Sequence, residues 1–163
     1  MELADKIDSQ TIYRIMQLDF MKDANNIIFM GSNGVGKSTL AQNIGYQAVM
    51  QGHIVLLTTA ASMLNDLAAQ DGDKALRRRL NHYSKPNLLI IDEVGYLSYS
   101  NWHEDLLFEI INRRYEKYPT IITTNLPFSE WNEGFPNAAC VVSLIDRLVH
   151  HSEVVRLKEV HIG

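Results

Sequence analysis

Phe29–Met30–Gly31–Ser32–Asn33–Gly34–Val35–Gly36–Lys37–Ser38–Thr39 decides the fold of this chain. The stretch has the spacing of a phosphate loop, in which a glycine and four residues precede Gly-Lys-Ser. Gly31, Gly34 and Gly36 let the backbone curl where side-chain-bearing residues resist. With Ser32, Asn33 and Val35 between them, successive N–H groups turn inward and form an anion nest. Lys37 is a point charge for the outer phosphates of a nucleotide, and the Ser38 hydroxyl is a ligand for magnesium. Thr39 opens a helix whose N-terminal dipole also favours phosphate. At ordinary glycine usage, fewer than about one chain in a hundred of this length carries the pattern by chance.

The flanks supply the strand and the helix that the loop needs. Asn26–Met30 is a short apolar run with the character of a buried strand, and Thr39–Met50 reads as a helix. Downstream, Gly52 breaks the chain and His53–Thr58 reads as a second strand. Ala60–Gln70 is helix-like, and Asp73 is placed to cap a helix running to Ser84, which Pro86 ends. Asn87–Asp92 is a third strand whose unbroken apolar character implies cover on both faces. In a long helix from Trp102 to Tyr118, Leu106, Leu107, Ile110, Ile111 and Tyr115 give the apolar stripe. Thr120–Thr124 is a fourth strand, Phe128–Asn132 a helical turn or two, Ala138–His150 a helix and Glu153–Leu157 a fifth strand. Upstream, residues 1–8 are polar and expected to fray, and Ser9 caps a helix running to about Phe20. Strands alternating with helices imply a parallel sheet with right-handed crossovers and a ligand site at the strands' carboxyl ends.

A chain of 163 residues suffices for one domain with a substantial core. Apolar content of 46% and charged content of 21% are those of an ordinary globular protein. The net charge of −4 does not advertise nucleic-acid binding, so any such contact needs a local basic patch or an assembly. The single cysteine, Cys140, excludes an internal disulfide and suits a reducing compartment. No apolar run approaches a membrane span, and Glu2, Asp5 and Asp8 do not fit a signal peptide, so the cytoplasm is expected.

Five sets of residues are candidates for chemistry. Asp92 closes the apolar run Leu88–Ile91 and is read as a magnesium partner alongside Ser38. Glu93 follows it and is the candidate to orient the attacking water; a plain surface glutamate is the alternative. Asn125 ends Thr123–Thr124–Asn125–Leu126–Pro127 and is either turn chemistry before Pro127 or an amide for the γ-phosphate or the water. Arg147 is either a neighbour of Asp146 on a solvated helix face or an arginine finger donated across a subunit interface. Lys74, Arg77, Arg78 and Arg79 form a charge run that is ordinarily a solvated face and otherwise a contact for nucleic-acid phosphate. His103 beside Glu104 and Asp105, and His150–His151, lack a matching ligand cluster and are assigned no metal. Trp102 and Trp131 are read as packing residues. The guanine motif Asn-Lys-x-Asp and the Leu-Ser-Gly-Gly-Gln string are absent, which disfavours GTPases and transporter ATPases.

Gly31–Thr39, Leu88–Leu97 and Thr120–Trp131 resemble, in order, the two nucleotide motifs and the sensor-one region of the AAA+ ATPases. The last of these, with Leu57–Ala60 and Leu144–His151, resembles the IstB branch in particular, the transposition helpers of bacterial insertion sequences and relatives of the DnaC helicase loaders. The resemblance implies a doubly wound α/β core with a parallel five-stranded sheet of order 5-1-4-3-2. It implies that Asn125 is the sensor-one residue and that Arg147 acts in trans. It implies ATP and Mg2+ as cofactors, assembly on double-stranded DNA, for which the basic run Lys74, Arg77, Arg78 and Arg79 is the candidate contact, and self-association through the Arg147 side. The partner is then a transposase or, for a loader, a replicative helicase; a nucleotide-binding fragment with little turnover is a third reading. On this resemblance residues 1–24 are an N-terminal linker helix standing where the family has a larger helical region. Residues 25–163 are the ATPase core, without the second-sensor arginine that the family carries beyond the last strand, since Arg156 lies within the strand.

Overall fold

Asn26–Met30 (β1), Leu88–Val94 (β3) and Thr120–Thr124 (β4) are the inner strands of a five-stranded sheet in the computed structural model. The structure describes residues 2–95 and 98–158, with side chains from residue 9 onward. Val55–Thr59 (β2) and Ser152–Arg156 (β5) complete the sheet in the order β2-β3-β4-β1-β5, and every pairing is parallel. This is the expected order, read from the opposite edge.

Period-two alternation sorts the apolar side chains of the strands onto two faces. Ile28, Met30, Leu89, Ile91 and Ile122 face one core; Ile27, Phe29, Leu88, Ile90 and Ile121 face the other. Each fully buried side chain of this size contributes roughly 1.5–3 kcal/mol, so the two faces carry most of the driving force. The first core is covered by Ala60–Ala68 (α4), Asp73–Ser84 (α5), Asn101–Arg114 (α6) and Ala138–Val149 (α7). Lys37–Met50 (α3) covers the second, together with the chain's first two helices. Those two are Glu2–Met16 (α1) and Asp19–Lys22 (α2).

Several boundaries differ from the sequence reading for local reasons. The first helix begins well before Ser9 and is interrupted at Leu18, whose φ is 65°. The break turns Ile15, Leu18 and Phe20 into the core beside Ile27. Asp73 does not cap α5: Gly72 holds the cap position and Asp73 lies in the first turn. Helix α6 stops at Arg114, because the backbone turns extended at Tyr115, with ψ of 124°, and left-handed at Glu116, with φ of 60°. Phe128–Glu133 is a 3-10 helix. Glu159–Gly163, part of the stretch searched for a second-sensor arginine, and Tyr96–Leu97 lie outside the described residues.

Candidate functional site

The strand β1 delivers the chain to the loop, and Gly31 has no room for a side chain. A Cβ there would lie 2.4 Å from the Leu157 carbonyl oxygen, whose own N–H donates to Met30 at 2.8 Å. Gly34 and Gly36 serve by conformation instead, with φ of 85° and 91°. Lys37 follows at the first turn of α3 and is only 5% exposed. Its Nζ donates to the carbonyls of Gly31 and Ser32 at 2.6 and 2.8 Å, so the ammonium is folded against its own loop. Burial draws its pKa down from the ordinary lysine value, and the nearby Asp92 carboxylate opposes that. An anionic ligand is what this desolvated cation lacks.

Asp92 and Ser38 come together. The Ser38 hydroxyl lies 2.9 Å from both carboxylate oxygens of Asp92. Thr123, on β4, also donates its hydroxyl to Asp92, and the same oxygen accepts the Glu93 N–H at 2.9 Å. Thr123 was missed in the sequence. Its signal was a hydroxyl residue inside the central apolar strand, one position beyond Ile122, which pairs with Ile91. The β3–β4 register shifts between Ile91 and Val94, and Glu93 takes a φ of 62°. Bulges of this kind re-aim side chains. Here the bulge leaves Glu93 exposed on the wall of an open cleft of about 420 Å³ lined by Asn33, Gly34, Gly36, Lys37, Ser38 and Thr39.

Asn125 follows β4, and the Thr124 carbonyl before it accepts the Gly31 N–H at 3.1 Å. The Asn125 side chain therefore hangs from the base of the loop. Its Oδ1 is buried without a hydrogen-bond partner among the described residues. Buried polar atoms are nearly always satisfied, so this one marks a place for an external donor. With a lysine, two hydroxyls and two carboxylates at the same strand ends, the donor set fits a nucleotide with a hard divalent cation.

Arg147 is elsewhere. Its guanidinium lies over the Tyr115 ring, 4.6 Å from the centroid, just past the end of α6. The next carbonyl, Leu148, accepts from the Asn26 side chain at 3.2 Å, at the start of β1. The loop lies at the other end of that strand, roughly 15 Å away. Arg147 cannot serve its own loop; Asp146 is exposed and does not pair with it among the described contacts.

The basic run divides. Lys74, Arg77 and Arg78 are exposed, whereas Arg79 donates to Asp66 on α4 at 3.0 and 2.5 Å and stacks on Tyr83. The expectation that Arg79 is a free DNA contact is therefore corrected: it joins α4 to α5. Trp131 packs as expected, fully buried, with its Nε1 donating to Leu126 at 3.0 Å, but Trp102 is half-exposed. Glu104 turns into the core, where its Oε1 accepts the Asn137 N–H at 2.9 Å and burial pushes its carboxyl pKa up. It is not available to His103 as a co-ligand. His150 and His151, set aside for want of a third ligand, do find one in Glu116. Among the described residues no helix is long and apolar enough to cross a membrane.

The sequence model of the IstB-like ATP binding proteins matches residues 1–161. A protein of the insertion sequence IS5376 of Geobacillus stearothermophilus, named as ATP-binding, is 38% identical over 152 residues, 93% of this chain and 61% of its own. Its counterpart from insertion sequence IS232 of Bacillus thuringiensis subsp. berliner is 37% identical over 156 residues, 96% of this chain and 62% of its own. The chain thus spans about three-fifths of the length of these relatives. A crystal structure of the DnaC helicase loader superposes with a TM-score of 0.76 at 20% identity, covering 95% of this chain and 90% of that one. At that identity the match establishes the doubly wound phosphate-loop fold of AAA+ type and nothing finer.

Proposed function

The chain belongs to the family of IstB-like ATP binding proteins, and from that premise we propose that it binds ATP with Mg2+ in the loop 31–39 and hydrolyses it slowly until it assembles. We further propose that it assembles with ATP on double-stranded DNA in the cytoplasm, as a helper that directs a transposase to its target. Residues 25–163 are the nucleotide-binding core in this reading, and residues 1–24 its helical lead-in.

The observation that carries the reading is the Ser38–Asp92–Thr123 network at the foot of a cleft whose wall presents Glu93. Ser38 and Asp92 would hold magnesium, which when bound would supply positive charge to offset that on the outer phosphate oxygens. Lys37 exchanges its loop carbonyls for phosphate oxygens and keeps the ammonium paired in a desolvated place. Glu93 accepts a hydrogen bond from the attacking water and orients it. Thr123 keeps Asp92 and the Glu93 backbone in register. Asn125, whose Oδ1 has no partner among the described residues, accepts from the water there, or holds the γ-phosphate through its Nδ2 donors, without adding charge. Arg147 serves a neighbouring subunit, since its own loop is out of reach. Lys74, Arg77 and Arg78, without Arg79, make the DNA contact. Identity of 37–38% to insertion-sequence proteins supports a transposase partner over a helicase, for which only the shared fold speaks.

The test mixes Arg147→Ala with Lys37→Ala in the presence of DNA. Neither variant should hydrolyse ATP alone, because such fingers are worth roughly 10³-fold or more in rate. A mixed interface that pairs an intact loop with an intact Arg147 should recover part of the activity. Co-assembly without recovery removes the trans role of Arg147; wild-type hydrolysis by Lys37→Ala alone removes the assignment of the loop.

A further inference from the structure

Away from the nucleotide cleft, two helix ends converge on three ligating side chains. Glu116 lies just past α6, which ends at Arg114; His150 is the C-cap of α7 and His151 follows it. The nearest ligand atoms, Glu116 Oε1 and the two histidine Nε2 atoms, are 3.5 Å apart for His150 and 3.9 Å for His151. One ligand atom from each of the three residues lies within 4.8 Å of the others, and no other such cluster occurs among the described residues. Glu116 and His151 reach this arrangement from left-handed backbone, with φ of 60° and 53°. The imidazoles of His150 and His151 stand edge to face, 4.2 Å between centroids.

We propose that Glu116, His150 and His151 form a site for a borderline divalent transition metal of the Zn2+, Co2+ or Ni2+ class. Two imidazoles and a carboxylate are the donor set such ions prefer, whereas Mg2+ and Ca2+ take oxygen. Ligand atoms around a tetrahedral zinc are separated by about 3.3 Å, given bonds near 2.0–2.1 Å. The observed spacings close to that by small rotations of half-exposed side chains. The ends of α6 and α7 add their negative dipole ends, which favour a cation. Solvent completes the coordination sphere. The bound ion fastens the end of α6 to the turn between α7 and β5. The His151 carbonyl in that turn accepts the Asn26 N–H at 2.9 Å, and Arg147 lies over Tyr115 beside it. The site is independent of nucleotide binding and of the reading of the loop.

The experiment titrates Zn2+ and Co2+ into the chelator-stripped, untagged protein by calorimetry and by visible absorption of the cobalt form. One ion per chain is expected, a rise in melting temperature on addition of zinc, and no displacement by excess Mg2+. His150→Ala, His151→Ala and Glu116→Gln should each weaken binding at least tenfold, since even a lost outer-shell partner costs that much. Each should also abolish the melting shift, while His82→Ala and His103→Ala bind as the parent does. Melting of the metal-free variants at the parent's temperature verifies that they fold. Absence of binding in the parent, displacement by Mg2+, or parent-like affinity in the three ligand variants each overturns the site.

Discussion

The two ends of the parallel sheet treat buried polar groups in opposite ways. At the amino end, Arg114 is 1% exposed and bonds no carboxylate among the described residues. It donates to the Thr120 hydroxyl at 2.9 Å and to the carbonyls of Ser84, Pro86 and Pro119 at 3.0, 2.8 and 2.7 Å. Asn26, also buried, donates to Leu148 and accepts the Thr120 N–H at 2.9 Å. At the carboxyl end, the Asn125 oxygen has no partner among the described residues, Glu93 holds a left-handed backbone, and Lys37 lies against its own loop. Polar groups whose bonds are made hold the fold. Those whose bonds are unmade, or made only locally, keep a capacity for ligand.

The comparison is tested hardest at Arg114. Arg114→Met keeps apolar bulk but removes the fork that satisfies the end of α5 and the loop after it. Several buried carbonyls then lose their donor, at about 1–3 kcal/mol for each one left unsatisfied, so a loss on the order of 3–5 kcal/mol is expected in urea unfolding. Burial pushes the Arg114 pKa down to about 10, yet the guanidinium remains charged at neutral pH and its planar donors are what count. Arg114→Lys should therefore recover only part of the loss. A loss under about 0.5 kcal/mol, the range of ordinary surface changes, would mean that water replaces the guanidinium and that the amino end is not the closed network described.

The carboxyl end should show the opposite profile. Glu93→Gln keeps shape and removes the basic carboxylate. ATP affinity and unfolding free energy should stay near the parent values, while hydrolysis by the assembled protein falls on the order of 10²-fold. Near-normal turnover would move the water-positioning role away from Glu93 and weaken the contrast between the ends.

The sequence made the closed end harder to read than the open one. The loop, the strands and the strand-end carboxylates were legible because each shows in local order: a glycine pattern, an apolar run, a charge at its end. Arg114 was invisible because a basic residue in the last turn of an amphipathic helix normally faces water, and its acceptors are about 30 residues away in the chain or beyond the helix end. Asn26 read simply as the first residue of a strand. The bulge at Glu93 has no signature, since it depends on the β3–β4 register. Arg79 could have been separated from Arg77 and Arg78: it is three residues after Leu76 and four before Tyr83, which puts it on the edge of the buried face of α5.

That separation makes the smallest and most specific test, on the flank of the sheet. The Tyr83 hydroxyl donates to Asp66 at 2.6 Å, and Arg79 completes the pair with its guanidinium. The Tyr83 bond, then Arg79, hold the Asp66 carboxyl below its usual range against the opposing effect of burial. The folded chain thus holds this proton less well than the unfolded chain. The stabilisation is complete above the unfolded pKa of about 3.9 and is lost as pH falls through the lower folded value. Tyr83 has the mirror behaviour. Burial and the Asp66 bond push its phenol up to about 12, so the folded chain keeps a proton that the unfolded chain releases near 10. Its contribution is complete below about 10 and is lost as pH rises toward 12. Asp66→Asn should lower stability by about 1 kcal/mol at neutral pH, as expected for a half-exposed charged pair with a hydrogen bond. It should also flatten the acid limb of stability against pH, and Tyr83→Phe should flatten the alkaline limb. Arg79→Ala should reproduce most of the neutral-pH loss, whereas Arg77→Ala and Arg78→Ala should leave stability within about 0.5 kcal/mol of the parent, as exposed positions do. Equal losses from all three arginines would show that the helix carries one uniform charged face, and the division between a made bond on Arg79 and free cations on Arg77 and Arg78 would fall.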